Sequence, residues 1–272
     1  MTTQAKPKVL FIMVLRQAAV ALPLQLAALR EYNRSYNPQV EYLFVENSST
    51  DDTPGIIDNH LKENSGYYVK LGPSNEIEAM PRISRIAKAR NHAKTLAANF
   101  DFDLAVVIDA DIYFDAETIN RLVMFSFGNN SLYHCGFGVA ALINHETAGI
   151  SIRTANHYYD TATFLHNDNS KSIWPKCCFT KCLTCNASDL TTPRLPSEGG
   201  IIEVAAAFGG IAVIHAKIIH DKRIFWDPLS IGGSPLNEHL GLLCKMKELF
   251  KANVTIDLDA KVFWNLDTLN LN

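Results

Sequence analysis

Runs of apolar residues alternate with stretches of helical spacing along the first half of the chain. Val9–Leu15 is a continuous apolar run of strand length, which predicts a strand covered on both faces, as in a parallel sheet. Similar short runs predict further strands at Val40–Val45, Tyr67–Leu71 and Leu104–Ile108. Apolar residues spaced by three and four predict helices over residues 17–32 and 76–100. Capping residues predict two more, one over residues 53–63 with Asp52 or Thr53 as its cap and one over residues 116–126 with Asp115 as its cap.

This alternation over residues 9–126 predicts right-handed βαβ units on a mostly parallel sheet flanked by helices, which is an α/β fold. In such sheets ligands bind beyond the carboxyl ends of the strands. Two polar clusters follow predicted strands, one over residues 46–52 and one over residues 109–111. We therefore expect both clusters on the same rim of the sheet.

The pattern is looser after about residue 127. Strands are predicted at Gly136–Ile143 and Ile211–Ile214, whereas residues 145–200 are rich in Asn, Thr, Ser, Pro and Cys. Because no linker or internal repeat interrupts the chain, we predict one domain over residues 1–272. Its irregular second half, residues 127–272, is expected to face the substrate.

The composition and charge argue against several classes of protein. The chain has 272 residues, with 25 Lys and Arg against 28 Asp and Glu and a formal net charge of −3, which does not favour a nucleic-acid partner. Val9–Leu15 is only seven residues long and is closed by Arg16 and Gln17, so it is too short for a membrane helix and is better explained as a buried strand than as the apolar region of a signal peptide. We therefore expect no transmembrane segment and a cytoplasmic location.

Six cysteines in a chain of 272 residues do not indicate a disulfide scaffold. Four of them lie between Cys177 and Cys185. Free thiols or one or two local disulfides are favoured there over a zinc knuckle, which would need a second, distant pair of ligands.

The sequence Asp109-Ala110-Asp111 directly follows the apolar run that ends at Ile108. Two carboxylates that leave a buried strand together can face one point if the chain bends. Hard oxygen ligands suit Mg²⁺ or Mn²⁺, with a diphosphate completing the coordination shell. Ordinary turn chemistry would also explain these residue types.

Arg90 falls inside the apolar stripe of the longest predicted helix, four residues after Ile86 and three before Ala93. A charge in that position needs a partner, because an unpaired buried charge is costly. The alternative is a side chain that reaches solvent from the edge of the stripe.

Three motifs together resemble a known superfamily. Val-Glu-Asn-Ser-Ser-Thr-Asp-Asp-Thr at 45–53, Ala-Arg-Asn-His-Ala at 89–93 and Val-Val-Ile-Asp-Ala-Asp at 106–111 look like nucleotide-sugar glycosyltransferases of the GT-A (Rossmann-like) fold. The chain is most similar to the cryptococcal mannosyltransferase group and to family 2 enzymes. The resemblance implies a nucleotide-binding half over residues 9–126 and an acceptor-side half over residues 127–272.

The resemblance also implies an activity and its site. It implies hexosyl or pentosyl transfer from a UDP- or GDP-linked donor to a glycan or other hydroxyl acceptor, with Mn²⁺ or Mg²⁺ as cofactor. Asp109 and Asp111 match the metal-holding pair, Glu46 matches the acidic nucleoside contact, and Arg90 matches the arginine that faces carboxylate or phosphate. The donor-binding residues that we predict are Leu15, Arg16, Glu46, Asn47, Ser48, Asp52, Arg90, Asn91, Asp109, Ala110, Asp111, Gly209 and Gly210.

The second half adds two candidate features. Gly209 and Gly210 precede a strand, and paired glycines admit a close approach of the backbone to a ligand, although a tight turn explains them equally. Glu238 opens a predicted helix, and the resemblance implies that it is the catalytic base for the acceptor, with His239 as the third metal ligand. Neighbours on a regular helix diverge by about 100 degrees, so both would face one site only from a non-helical backbone.

Two other functions fit parts of the sequence. A phosphohydrolase of the haloacid dehalogenase type also uses a strand followed by Asp-x-Asp, but it normally places that pair after the first strand. A non-catalytic sugar-binding module on a transferase fold is the third interpretation. Turnover of nucleotide sugars, compared with turnover of aryl phosphates, separates the three.

Overall fold

The computed structural model describes residues 5–72, 79–146, 149–158, 199–228, 230–231, 234–235 and 237–265. The helices are α1 (Leu22–Ser35), α2 (Thr53–Leu61), α3 (Arg82–Ala97), α4 (Ala116–Gly128), α5 (Ala216–His220) and α6 (Glu238–Phe250). The strands are β1 (Val9–Leu15), β2 (Val40–Asn47), β3 (Gly66–Leu71), β4 (Leu104–Ile108), β5 (Ile112–Tyr113), β6 (Tyr133–Glu146), β7 (Gly149–Tyr158), β8 (Ile201–Val204), β9 (Ile211–His215), β10 (Ser230–Ile231), β11 (Ser234–Pro235) and β12 (Val254–Asn265). The cysteine cluster between Cys177 and Cys185 lies outside these residues.

Ten of these strands form one mixed sheet in the order β3-β2-β1-β4-β9-β6-β12-β5, with β7 added to β6 and β8 added to β12. The first four strands of this order are mutually parallel, and β1 lies between β2 and β4. Because β9 is antiparallel to both β4 and β6, and β6 is parallel to β12, the β6 and β12 strands run in the direction of β1. The mostly parallel α/β sheet is thus confirmed.

Helices cover both faces of this sheet. On one face α1, α2 and α4 pack on side chains such as Phe11 and Met13. On the other face α3, α5 and α6 pack on the alternate residues of the same strands, such as Leu10 and Ile12. Since α3 and α6 share a face, residues from the two halves of the sequence can meet there. None of the helices in the described part of the chain combines the length and apolar character that a membrane crossing requires.

Two helix starts differ from the sequence-based predictions. The first helix begins at Leu22 rather than residue 17, because residues 17–21 form a turn in which Gln17 has a positive φ of 53°. The third begins at Arg82 rather than residue 76, and Pro81 precedes it with an extended ψ of 146°. Asp115 caps α4 as predicted, because its side chain accepts a hydrogen bond from the Thr118 amide.

His60 lies in the last turn of α2 and is 5% exposed. The rings of Tyr42 and Phe44 meet its imidazole edge-on, at centroid distances of 4.5 and 5.8 Å. Neither ring nitrogen of His60 has a hydrogen-bond partner among the described residues. Burial, with a smaller effect of Arg30, lowers the pKa of His60 to about 4.

This histidine makes stability depend on pH. In the unfolded chain a histidine has a pKa of about 6.5, so its contribution to stability is complete above that pH and is lost as the pH falls towards 4. We expect His60→Phe to lose less of its free energy of unfolding than the parent between pH 7 and pH 5, as measured by urea unfolding. Equal losses in the two proteins would contradict this assignment.

Candidate functional site

The rim at the carboxyl ends of β1 and β2 is built by two loops that bind each other. The side-chain oxygen of Gln17 accepts a hydrogen bond from the Thr50 amide at 2.6 Å, and the Gln17 amide donates to Ser49 Oγ at 2.9 Å. The Asp51 carboxylate accepts from the Ala19 amide at 3.0 Å and from Thr53 Oγ1 at 2.6 Å. These contacts hold the loop of residues 16–21 against the loop of residues 48–52.

Arg90 is the centre of the site. Arg90 is 6% exposed, and its guanidinium joins the start of α6 to the end of β4. Nη1 donates to Glu238 Oε1 and to His239 Nε2 at the start of α6, and Nη2 donates to Asp109 Oδ1 at the end of β4. The partner that the apolar stripe predicts for Arg90 therefore exists, and it is a pair of carboxylates drawn from both halves of the chain.

His239 is held as a neutral ring. Arginine only donates hydrogen bonds, so Nε2 of His239 must accept from Arg90. Burial and the neighbouring Arg90 charge keep the pKa of His239 well below its ordinary value. Phe208 stacks on the imidazole with a centroid distance of 3.6 Å and also lies 5.1 Å from the Arg90 guanidinium.

Glu238 and His239 converge although both belong to a regular helix. The Asn237 side chain caps α6 by accepting from the His239 amide at 2.8 Å, and Glu238 is the first helical residue. The expectation that their convergence would need a non-helical backbone is wrong, because the Arg90 guanidinium lies at the first turn, within reach of both side chains.

His239, the predicted third metal ligand, contacts Arg90 in this structure. His239 is 2% exposed and directs Nε2 to Arg90, so the structure does not join it to Asp109 and Asp111 in one ligand set. Across the residues with described positions, no group of three or more His, Cys, Asp and Glu side chains could hold a metal ion. The physical reason is that Arg90 takes the position on the ring nitrogen where a cation would bind.

Asp109 and Asp111 fit a metal that draws further ligands from a bound donor. The Asp109 amide donates to the Gly210 carbonyl at 2.9 Å, and Gln25 donates to the Asp109 carbonyl at 2.9 Å, so the backbone of this turn is fixed. Asp111 accepts from Trp264 Nε1 at 3.0 Å. Both carboxylates are partly exposed at the rim, and two hard oxygen donors suit Mg²⁺ or Mn²⁺. Ala110, also partly exposed, lies between them.

The other residues predicted to bind the donor are divided between rim and interior. Glu46 is fully buried and accepts a hydrogen bond from the Ser49 amide, so in this structure its carboxylate shapes the loop. Asn47 is 7% exposed, and its side-chain oxygen has no hydrogen-bond partner among the described residues. Ser48 donates from Oγ to the Leu71 carbonyl at 3.1 Å.

Leu15 is buried at the end of β1, whereas Arg16 and Asp52 are exposed. Asp52 precedes α2 without a side-chain cap. The residue that organises this loop is its neighbour Asp51, which the sequence-based prediction missed. The only signal was its place in the same polar run, one residue from Asp52.

Gly209 and Gly210 make room for the protein's own backbone. They have φ values of 67° and 88°, and a Cβ on Gly209 would lie 2.2 Å from the Gly136 carbonyl oxygen. The tight packing of Gly209 on β6 explains that glycine by the protein's own structure, and the ligand contact predicted for the pair stays a prediction. Gly210 still serves the site, because its carbonyl accepts from the Asp109 amide.

The side chain of Asn91, the remaining residue predicted to bind the donor, is hydrogen-bonded within the protein. Its side chain bonds to both backbone polar groups of Trp226. Asn91 follows Arg90 on α3, so the two side chains reach different parts of the second half of the chain.

Comparisons with known proteins cover most of the chain. Residues 11–182 match the family model described as glycosyl transferase family 2. No curated protein matches the sequence significantly.

Among solved structures, S. aureus TarS 1–349 has a TM-score of 0.56 at 14% identity and covers 95% of this chain and 60% of that one. The same protein in complex with UDP-GlcNAc gives 0.55 at 14% identity, covering 95% and 58%. Mannosyltransferase PcManGT from Pyrobaculum calidifontis, in complex with GDP-Man and Mn²⁺, gives 0.50 at 12% identity, covering 95% and 57%. This chain thus spans less than two thirds of each of these chains.

Proposed function

The chain belongs to glycosyl transferase family 2 and has the GT-A fold, and from this premise we propose that it transfers a sugar from a nucleoside-diphosphate sugar to a hydroxyl group of a glycan or similar acceptor. One observation carries the proposal. Arg90 joins Asp109, on the strand end where the donor diphosphate is expected, to Glu238, which is our candidate base for the acceptor. Chemistry between a donor and an acceptor needs groups for both within one site.

Each residue of this cluster has a separate task in the proposed reaction. Glu238 accepts the proton of the acceptor hydroxyl as that oxygen attacks the sugar. Arg90 holds Glu238 and Asp109 in a fixed relation through the two arms of its planar guanidinium. His239, neutral and stacked on Phe208, fills the remaining hydrogen-bonding position of Nη1.

Asp109 and Asp111 would hold the divalent cation, which supplies Lewis-acid stabilisation of the negative charge on the leaving nucleoside diphosphate. TarS has been solved with UDP-GlcNAc and the mannosyltransferase with GDP-Man and Mn²⁺, which supports a UDP- or GDP-linked donor and a divalent metal here. The buried side-chain oxygen of Asn47, which has no hydrogen-bond partner in the described part of the chain, supports donor binding at the end of β2, because a ligand N–H or O–H would satisfy it.

Binding of the metal and of the nucleotide should be mutually dependent, because two carboxylates need the diphosphate oxygens to complete the metal's coordination shell. We expect Mn²⁺ to tighten the binding of UDP or GDP about tenfold or more, and Asp111→Asn to remove this gain. Isothermal titration calorimetry with and without Mn²⁺ measures both effects.

Asp101→Asn is the matched control for this measurement. Asp101 is an exposed carboxylate near the amino end of β4, where it pairs with Lys8, whereas Asp111 follows the carboxyl end. The control should bind as the parent does. Equal affinity for the nucleotide with and without metal in the parent would contradict the proposed metal site.

A further inference from the structure

The side chain of Asn91 forms a two-point contact with a single residue of the second half of the chain. Nδ2 of Asn91 donates to the Trp226 carbonyl at 2.7 Å, and the Trp226 amide donates to Oδ1 of Asn91 at 2.8 Å. The primary amide thereby satisfies both backbone polar groups of one residue. Trp226 itself is 2% exposed.

The same segment is fixed from its other side by α6. A Cβ on Gly241 would lie 2.1 Å from the Asp227 carbonyl oxygen, so the backbone after Trp226 runs directly against this helix. The indole ring of Trp226 meets the His239 imidazole edge-on, with the ring centroids 6.5 Å apart. Residues Trp226 and Asp227 are therefore held between α3 and the first turns of α6.

We propose that Asn91 is a positioning residue of the active site, which sets the place of Glu238 relative to Asp109 by clamping the Trp226 segment between α3 and α6. This inference rests on the proposed function for its kinetic consequence. Arg90 and Asn91 are adjacent on α3, so the ion pair and the clamp act on α6 from the same turn of one helix. The ion pair draws Glu238 inward, and the clamp fixes the backbone against which α6 packs.

The clamp needs an amide of this length. A carboxylate at position 91 could accept from the Trp226 amide but would direct its second oxygen at the Trp226 carbonyl, where two acceptors repel. Alanine would remove both hydrogen bonds and would leave the backbone groups of a buried residue unsatisfied. Asn91→Asp and Asn91→Ala therefore test the contact by different routes.

We expect both variants to lower kcat about 10²-fold while the KM for the nucleotide sugar stays within about twofold, because a displacement of about 1 Å at a reacting group has an effect of that size. Thr95→Ala is the matched control. Thr95 is an exposed polar residue one turn later on α3, and its hydroxyl bonds only to the Asn91 carbonyl among the described contacts. Its kinetics should equal those of the parent.

Amide hydrogen exchange of the full chain gives a readout that does not depend on activity. In Asn91→Ala the Trp226 amide should exchange faster, and so should the His239 amide, whose bond to the Asn237 side chain caps α6. Gly241→Ala, which forces the Asp227 carbonyl away from the helix, should reproduce the exchange at α6 and the loss of kcat with Asn91 intact.

Three results would overturn the proposal. The first is faster exchange at Trp226 with α6 unchanged, and the second is a kcat within twofold or so of the parent in both Asn91 variants. The third is a raised donor KM with unchanged kcat, which would make Asn91 a donor contact. If the parent transfers no sugar, the proposed function fails, while the exchange at α6 still decides whether the clamp positions that helix.

Discussion

Arg90→Met is expected to lower the free energy of unfolding by about 3–5 kcal/mol, because it leaves buried carboxylate charge without its partner. The side chains of Arg90 and Glu238 are 7% and 6% exposed, so water screens their ion pair poorly. Asp109 is more exposed, at 28%, so its ion pair with Arg90 contributes less to the free energy of unfolding. Urea unfolding followed by circular dichroism measures the change.

Arg90→Lys separates the charge from the shape of the side chain. Lysine keeps the positive charge but lacks the planar fork, so it cannot hold Glu238 and Asp109 at once. We expect a smaller loss of stability and a kcat reduced by about 10²-fold, because one of the two carboxylates is released from its position.

Arg121→Lys is the control for this pair of substitutions. Arg121 also bridges two carboxylates, Asp257 and Asp259, but these lie outside the Arg90 cluster, and its side chain is 43% exposed. Its kinetics should match the parent. If Arg90→Lys keeps full transferase activity and donor affinity, the ion network has no part in the reaction.

Glu238→Gln should lower kcat by about 10²–10⁴-fold with donor affinity nearly unchanged, which is the effect of removing a proton acceptor from the transition state. Glutamine has almost the same size, and its amide oxygen can still accept a hydrogen bond from Arg90. The variant therefore tests proton transfer with little change in packing. Steady-state kinetics with a nucleotide sugar and calorimetry of the nucleoside diphosphate measure the two quantities.

Two other carboxylates serve as controls for Glu238. Glu203 is exposed and accepts a hydrogen bond from Asn253 at 3.1 Å. Asp227 is also exposed, and although it belongs to the clamped segment, it is its backbone carbonyl that packs against α6. Glu203→Gln and Asp227→Asn should retain activity. Turnover by Glu238→Gln within about threefold of the parent would assign the role to one of these residues or to Glu198, which lies outside the described residues.

The strands in the first half of the fold could be predicted from the sequence, and so could the importance of one side chain, Arg90. Apolar runs such as Leu104–Ile108 are strands buried on both faces. Such a run can be recognised in the sequence without any knowledge of distant contacts. Arg90 could be singled out because burying a charge in an apolar stripe is costly, and the structure gives it carboxylate partners.

The contacts that the sequence did not predict are those between distant segments. The contact of Asn91 with the Trp226 backbone, and the packing of Gly209 on Gly136, depend on how the second half joins the sheet. No periodic pattern in the sequence predicts that arrangement. For the same reason His239 resembled a metal ligand in the sequence, although the structure places it against Arg90.

In our proposal the Arg90 cluster is the site of a nucleotide-sugar transferase. The most direct test measures the release of UDP or GDP from a panel of nucleotide sugars in the presence of Mn²⁺. An aryl phosphate is the comparison substrate, and the Asp109→Asn variant is the negative control. We predict release from at least one nucleotide sugar by the parent, little release by Asp109→Asn, and no hydrolysis of the aryl phosphate. Hydrolysis of the aryl phosphate alone would contradict the proposed function and indicate a phosphohydrolase, and binding of nucleotide sugars without any turnover would indicate a non-catalytic module.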